Sequence, residues 1–298
     1  MVGAGVGWQT WGMDFQFSGV SGHSWLGSPI DARPLFAPEH AALMATLRGL
    51  GAADWEREAV PGWRVRDVVA HLLGDFYGRL GRDRDGHRGG SAFAPGETLE
   101  AFIHRINQEW VDSFSRVSPA ALVDTIDLIG RQVARFFEAA DPDSPSMGVS
   151  WAGVDPAPMW LDSARDLTEF WTHRQQIRHA VGRETDPDPK ALAVVLDTFM
   201  RALPHTLRHV TAPTGTQVRV QVDGPAGGAW TVTATEEGRW SLAVPDAVRP
   251  AALVRLDAET AWRLCTRGID PDTALARARI DGDRELGVAV CQIVSIIY

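Results

Sequence analysis

Glu169 and His173 stand four residues apart in the segment 162–182, DSARDLTEFWTHRQQIRHAVG. The segment has the spacing of a helix, and at about 100° per residue two such side chains rise from one face a turn apart. Phe170, Ile177, Ala180 and Val181 project from the same side, so this face is expected to turn inward. A carboxylate and an imidazole buried there need a partner, because unpaired burial is costly. A metal ion is one such partner, held by His and Glu with a coordination position left open for chemistry. Two ligands are too few, and a third is found in WRVRDVVAHLLGDFYGRL, residues 63–80. There His71 sits at the edge of an apolar stripe of Val65, Val68, Val69, Leu72, Leu73, Phe76 and Leu80. Asp67 and Asp75 lie one turn before and after it, able to orient the ring or to neutralise a cation. Read from spacing alone, the same residues also describe a hydrogen-bonded Glu–His pair and a structural histidine.

The elements that must position these groups read as a helical bundle followed by a mixed half. Apolar residues at helical spacing mark helices from Pro38 to a stop at Gly51, over 63–80, and over 97–116. Ser118 followed by Pro119 starts a further amphipathic helix, and the Pro-, Gly- and Ser-rich run 141–160 is a loop before the Glu169/His173 helix. Four long helices plus one extra are the pattern of an up-and-down bundle. At TDPDPK the composition shifts, which puts a domain boundary near residue 185. Beyond it a helix interrupted at Pro204 leads into VRVQVDG, AWTVTATEEG and RWSLAV, an antiparallel meander, and PAALVRLDA is another strand. ETAWRLCTRG reads as a helix, RARIDG as a short strand, and DRELGVAVCQIVSIIY as a closing apolar helix. The fold class is therefore α+β: an irregular arm over 1–32, a helical bundle over 33–185 and a smaller α+β domain over 186–298.

The chain has 298 residues, 45% of them hydrophobic, enough for two domains each with a core. A net charge of −9 without a long basic run argues against nucleic acid or an anionic membrane as the main partner. No run approaches the ~20 apolar residues of a membrane span, and the opening residues lack the basic start and apolar stretch of a signal peptide. Cys265 and Cys291 read as reduced, partly buried thiols in a cytoplasmic protein. Lys190 is the single lysine, so nearly all the positive charge is arginine. No Gly-rich phosphate loop or nucleophile elbow is present, which argues against nucleotide-dependent or serine-hydrolase chemistry.

The segments ALMATLRGLGAADW, PGWRVRDVVAHLLGD and SWAGVDPAPMWLDSARDLTEFWTHRQQIRHAVG resemble the mycothiol-dependent maleylpyruvate isomerase family over roughly residues 35–210. VRLDAETAWRL followed by ARIDGDRELG is similar to the sterol-carrier-like domain that accompanies the family's DinB-like four-helix bundle. In that family a His after the W…RDVVAHL pattern and the Glu and His of E-x-x-x-H bind zinc. The resemblance thus implies His71, Glu169 and His173 as ligands of Zn²⁺ or another divalent metal, and mycothiol as the thiol cosubstrate. It implies a thiolate that adds to an electron-poor C=C bond and leaves after rotation, or a mycothiol S-transferase that stops at the adduct. A non-catalytic small-molecule or metal-binding protein on the same scaffold is the alternative from another class. An anionic substrate calls for a cation; Arg105, Arg131, Arg165 and Arg174 lie on the bundle helices, and Arg105 is the preferred catalytic candidate, a surface ion pair being its other reading. Asp166 shares a face with Glu169 and is read either as support for the site or as a surface acid.

Overall fold

Side-chain caps start two of the helices in the first half of the chain. The computed structural model describes residues 20–243 and 249–296; the expected N-terminal arm falls outside this range up to residue 19, and Val20–Leu26 forms a short 3₁₀ segment. The helices are α1 (Phe36–Arg48), α2 (Val65–Arg79), α3 (Leu99–Ser113), α4 (Pro119–Glu138) and α5 (Met159–Ala180). Thr98 and Ser118 accept the backbone N–H of Ala101 and Ala121, satisfying donors that α3 and α4 leave open at their starts. Two small hairpins punctuate the series: β1 (Glu58–Val60) with β2 (Trp63–Arg64) before α2, and β3 (Pro145–Ser146) with β4 (Ala157–Pro158) before α5.

Helices α1, α2, α4 and α5 close a four-helix bundle in which α4 and α5 each contact both α1 and α2. Each contributes one phenylalanine to its centre. Phe36 stacks on Phe137 at 4.2 Å, and Phe170 meets Phe36 edge-on at 5.8 Å and Phe76 at 4.7 Å. The extra helix, α3, lies outside against α2, with the Trp110 side chain on the Gly74 backbone; a Cβ there would sit 2.4 Å from the indole. The bundle expected from sequence is thus present, and α3 is its odd member.

The central helix, α5, is polar and yet buried on most of its circumference. Asp162, Asp166, Thr168, Thr172, Arg174 and Gln175 are all buried. Its charges are matched by tertiary partners. Arg79 of α2 donates to Asp162 (2.6 and 3.1 Å) and to Asp166 (2.9 and 2.7 Å), and Arg165 donates to both acids as well. Arg174 grips Glu39 of α1 through two bonds of 2.5 and 2.8 Å.

The second half continues through α6 (Pro189–Met200), which packs on α5, and the short α7 (Leu203–Thr206), with Pro204 in its first turn. Strands β5 (Gln217–Asp223), β6 (Gly228–Ala234), β7 (Trp240–Ala243), β8 (Ala252–Asp257) and β9 (Arg279–Gly282) form one sheet of order β7-β6-β5-β8-β9. β5 to β7 are the antiparallel meander read from their alternation, but β8 returns to pair parallel with β5. Helices α8 (Ala258–Cys265), α9 (Pro271–Arg277) and α10 (Arg284–Val290) complete the half. The closing helix ends at Val290, short of its expected length. β-branched residues crowd this tail, and the backbone N–H of Ser295 goes to the carbonyl of Cys265 instead. Cys265 and Cys291 are buried free thiols, pushed up by burial to about 12 and about 11. Among the described residues no helix is long and apolar enough to cross a membrane.

The Arg79 cluster yields a stability prediction. Arg79 is 3% exposed and Asp162 wholly buried, so removing the guanidinium leaves two buried carboxylates to share the single charge of Arg165. Asp162 is held below the ordinary carboxylate range: burial works to raise it, but Arg165 and Arg79 outweigh burial. Its contribution is present above the unfolded pKa and lost as pH falls. Arg79→Met is expected to destabilise the fold by about 3–5 kcal/mol at neutral pH in urea unfolding, with the deficit shrinking as pH drops below 4 and the acids protonate.

Candidate metal centre

Helices α2 and α5 run antiparallel, and their contacts form a ladder. At one end Arg79 meets Asp162 and Asp166; two turns away His71 meets His173. The Nε2 atoms of the two imidazoles are 3.1 Å apart, with the rings edge to face at 4.8 Å. His173 Nε2 is 3.5 Å from Glu169 Oε2, and one donor atom from each of His71, Glu169 and His173 can be chosen so that all lie within 4.8 Å of one another. The structure therefore brings the three sequence-selected residues together. Asp75, one turn along α2 from His71, places Oδ2 3.3 Å from His71 Nε2. His71 is 7% exposed, Glu169 26% and Asp75 33%, so the cluster opens from a buried imidazole toward a wetter carboxylate edge.

The charge states follow from this crowding. Burial, with His173 beside it, pushes His71 down to about 3, so the ring is neutral with a lone pair available. Burial works against the charge of Glu169, but the hydrogen bond and charge of His173, backed by Arg165 and His71, hold its carboxyl below the usual range. Burial also works against protonated His173, and there Glu169, Asp75 and Gln176 outweigh it and raise the imidazole. Asp75 is pushed up to about 8, first by burial and then by the facing charge of Glu169. Neutral imidazole and ionised carboxylate are the forms that bind a cation; His71 and Glu169 are held in them, whereas His173 and Asp75 are shifted toward their protonated forms.

Two further residues shape the site and were not picked out from sequence. Gln176 Oε1 lies 2.7 Å from His173 Nδ1; accepting a hydrogen bond from Nδ1–H leaves Nε2 of the neutral ring as the free lone pair, the usual way a supporting group orients a ligating histidine. The signal was its position three residues after His173, on the same face. Trp63, from the β1–β2 hairpin, puts its ring 5.2 Å from that of His71 and donates its Nε1–H to Gln108 at 2.9 Å.

Arg105 is engaged elsewhere. Its guanidinium donates to Glu97 (2.8 Å), Glu109 (2.9 Å) and the Ala92 carbonyl (2.9 Å), pinning the loop before α3, and none of these contacts is with the triad. Glu109 is its i+4 partner, so the ion-pair reading describes it better than an anion-binding one. The arginine whose charge reaches Glu169 is Arg165, one turn earlier on α5. Arg131 pairs with Asp127, and Arg174 with Glu39 and Asp186. Asp166 belongs to the Arg79 cluster. Trp151, Trp160 and Trp171 are core.

The donor types suit a divalent ion: ligands about 2.0–2.1 Å from zinc stand roughly 3.3–3.4 Å apart, and two edges of the triad, His71–His173 at 3.1 Å and His173–Glu169 at 3.5 Å, have that spacing, while all three groups lie within 4.8 Å of one another. The 3.1 Å Nε2–Nε2 contact is a hydrogen bond when one of the two rings carries the proton, and it is also the spacing of two nitrogens that share one cation.

Fold and site together define a four-helix bundle with a His/Glu/His donor cluster between two of its helices. Residues 36–178 match the family model of the mycothiol maleylpyruvate isomerase N-terminal domain. Among solved structures the chain is similar to a crystal structure of the mycothiol-dependent maleylpyruvate isomerase (13% identity, 80% of this chain and 90% of that chain covered, TM-score 0.44). It is also similar to a histidine-to-alanine mutant of that enzyme (14% identity, the same coverages, TM-score 0.41). At these scores the likenesses add nothing to what the family match establishes. Comparison with curated proteins gives no match.

If Gln176 sets the His173 tautomer, Gln176→Leu should weaken Zn²⁺ binding about 10- to 100-fold in calorimetric titration while leaving the thermal midpoint close to that of the parent.

Proposed function

We propose that the chain is a metal-dependent, mycothiol-using enzyme that isomerises a maleylpyruvate-like unsaturated acid from cis to trans. The observation that carries this reading is the convergence of His71, Glu169 and His173 between α2 and α5, inside the part of the chain that matches the mycothiol maleylpyruvate isomerase family model. The partners are then small molecules, an unsaturated acid and mycothiol. The charge of −9 agrees with the absence of a nucleic-acid role, and the two free thiols suit a reducing, cytoplasmic setting.

The reaction needs a thiolate, and a thiol of pKa near 8.5 is mostly protonated at neutral pH. A divalent ion, zinc in the first instance, supplies the positive charge that holds a thiol ionised there. His71 and His173 would hold it through Nε2 and Glu169 through its carboxylate. Gln176 keeps His173 in the required tautomer, and Glu169 offsets part of the added charge. Trp63 covers His71 and limits water around it. The sulfur forms a bond to one alkene carbon as the π pair moves onto the conjugated carbonyl. The carbon–carbon link, now single, rotates; the pair returns, the carbon–sulfur bond breaks, and thiolate leaves the trans product. Expulsion distinguishes this reading from an S-transferase, in which the adduct is released after protonation.

Purified protein is expected to hold stoichiometric divalent metal, and His173→Ala to lose it together with activity; metal-free parent protein with unchanged behaviour in the variant would favour a non-catalytic binding protein. Incubation with mycothiol and maleylpyruvate should give fumarylpyruvate with the thiol unconsumed, followed by chromatography. A stable thioether would mark a transferase.

A further inference from the structure

Asp75 is the one acid beside the triad that the proposed chemistry leaves without a task. It sits on the middle rung of the α2–α5 ladder. Below it Arg79 faces Asp166, above it His71 faces His173, and Asp75 itself is at the level of Glu169. The lower rung pairs a guanidinium with a carboxylate and the upper one joins two imidazoles by a hydrogen bond, whereas the middle one sets two carboxylates against each other across the helix interface. Each helix offers one imidazole and one acid at i and i+4: His71 with Asp75 on α2, Glu169 with His173 on α5. The separation of Asp75 Oδ2 from His71 Nε2 is 3.3 Å, the same ligand-to-ligand edge as the 3.1 Å and 3.5 Å contacts of the triad. Of the four side chains it is the most exposed.

We propose that Asp75 is a fourth, displaceable ligand: its carboxylate fills the remaining coordination position while no thiol is bound and yields it to the sulfur of the cosubstrate. This rests on the metal- and thiol-dependent reading above and goes beyond it, since three side chains suffice for that reading. A carboxylate in this place keeps the loaded site closed to other small nucleophiles until the thiol arrives. The incoming thiol gives up its proton as the sulfur takes the position, and the displaced Asp75 carboxylate receives it, so the net charge of the site is unchanged.

The test uses the full chain loaded with Co²⁺ and read by visible absorption, for the parent, Asp75→Ala and Asp75→Asn, the second keeping the shape of the side chain. Without thiol, both variants should bind Co²⁺ at least about 10-fold more weakly than the parent, with displaced ligand-field bands. With saturating mycothiol the three spectra should coincide, each carrying a sulfur-to-cobalt charge-transfer band. Thiol-free spectra that match with Co²⁺ bound would remove Asp75 from the ligand set and leave the metal centre standing. Differences that persist under saturating thiol would overturn the displacement. A parent chain that takes up no Co²⁺ would overturn the metal reading itself, and one that binds Co²⁺ without a charge-transfer band would overturn the thiol reading and the displacement with it.

Discussion

The register of α2 against α5 is set by buried charge. Two guanidinium groups, Arg79 and Arg165, are interleaved with Asp162 and Asp166, and Arg79 alone makes four bonds of 2.6 to 3.1 Å to the two acids. Charges this deep are tolerated only when fully paired, so a slip of one turn between the helices would strand carboxylates in the core. Apolar packing alone does not impose that penalty, because a phenylalanine accepts several neighbours. The aromatic quartet of Phe36, Phe76, Phe137 and Phe170 holds the four helices together, and the ion cluster decides how α2 and α5 align.

The same alignment makes the site. Two turns from Arg79 along α2, and in the opposite sense along α5, it brings the His71 and His173 nitrogens to 3.1 Å. Groups that would repel or go unsatisfied in isolation are thereby forced together, which is the condition for holding a cation. Arg165 belongs to both systems, bonded to the acids of the cluster and acting through space on Glu169. The sheet half supports this helix from its far end. Trp262 of α8 meets Trp171 at 5.4 Å, Arg263 reaches His179 at 3.1 Å, and α6 packs along α5. In this chain the second half is a buttress for the helix that carries two of the three donors.

Some features were legible because they are local. The Glu169–His173 pair follows from i, i+4 geometry, the start of α4 from Ser118 and Pro119, and the meander from alternation in VRVQVDG and AWTVTATEEG. His71 was legible as a candidate, through its place beside an apolar stripe and the family pattern around it. Others were hidden by their dependence on a distant partner. Arg105 had a suggestive place on its helix, but Glu97 and Glu109 claim it. Arg165 was one of four candidate arginines on the bundle helices, and only its bonds to Asp162 and Asp166 set it apart. The parallel return of β8 onto β5 leaves no trace in the pattern of either strand.

By itself the sequence determined which residue types were available at which turn of which helix, since periodicity, caps and i, i+4 spacing depend on neighbours a few positions away. It therefore defined the helices, most of the strands, the paired donor on α5 and the third donor on α2. The tertiary structure alone decided that these three side chains come within 4.8 Å of one another, that Asp75 stands level with Glu169, that Gln176 bonds His173, and that the arginine near the cluster is Arg165. Each of these depends on the angular and axial alignment of two helices separated by about 80 residues of chain, and that alignment is a property of the packed core rather than of any local stretch.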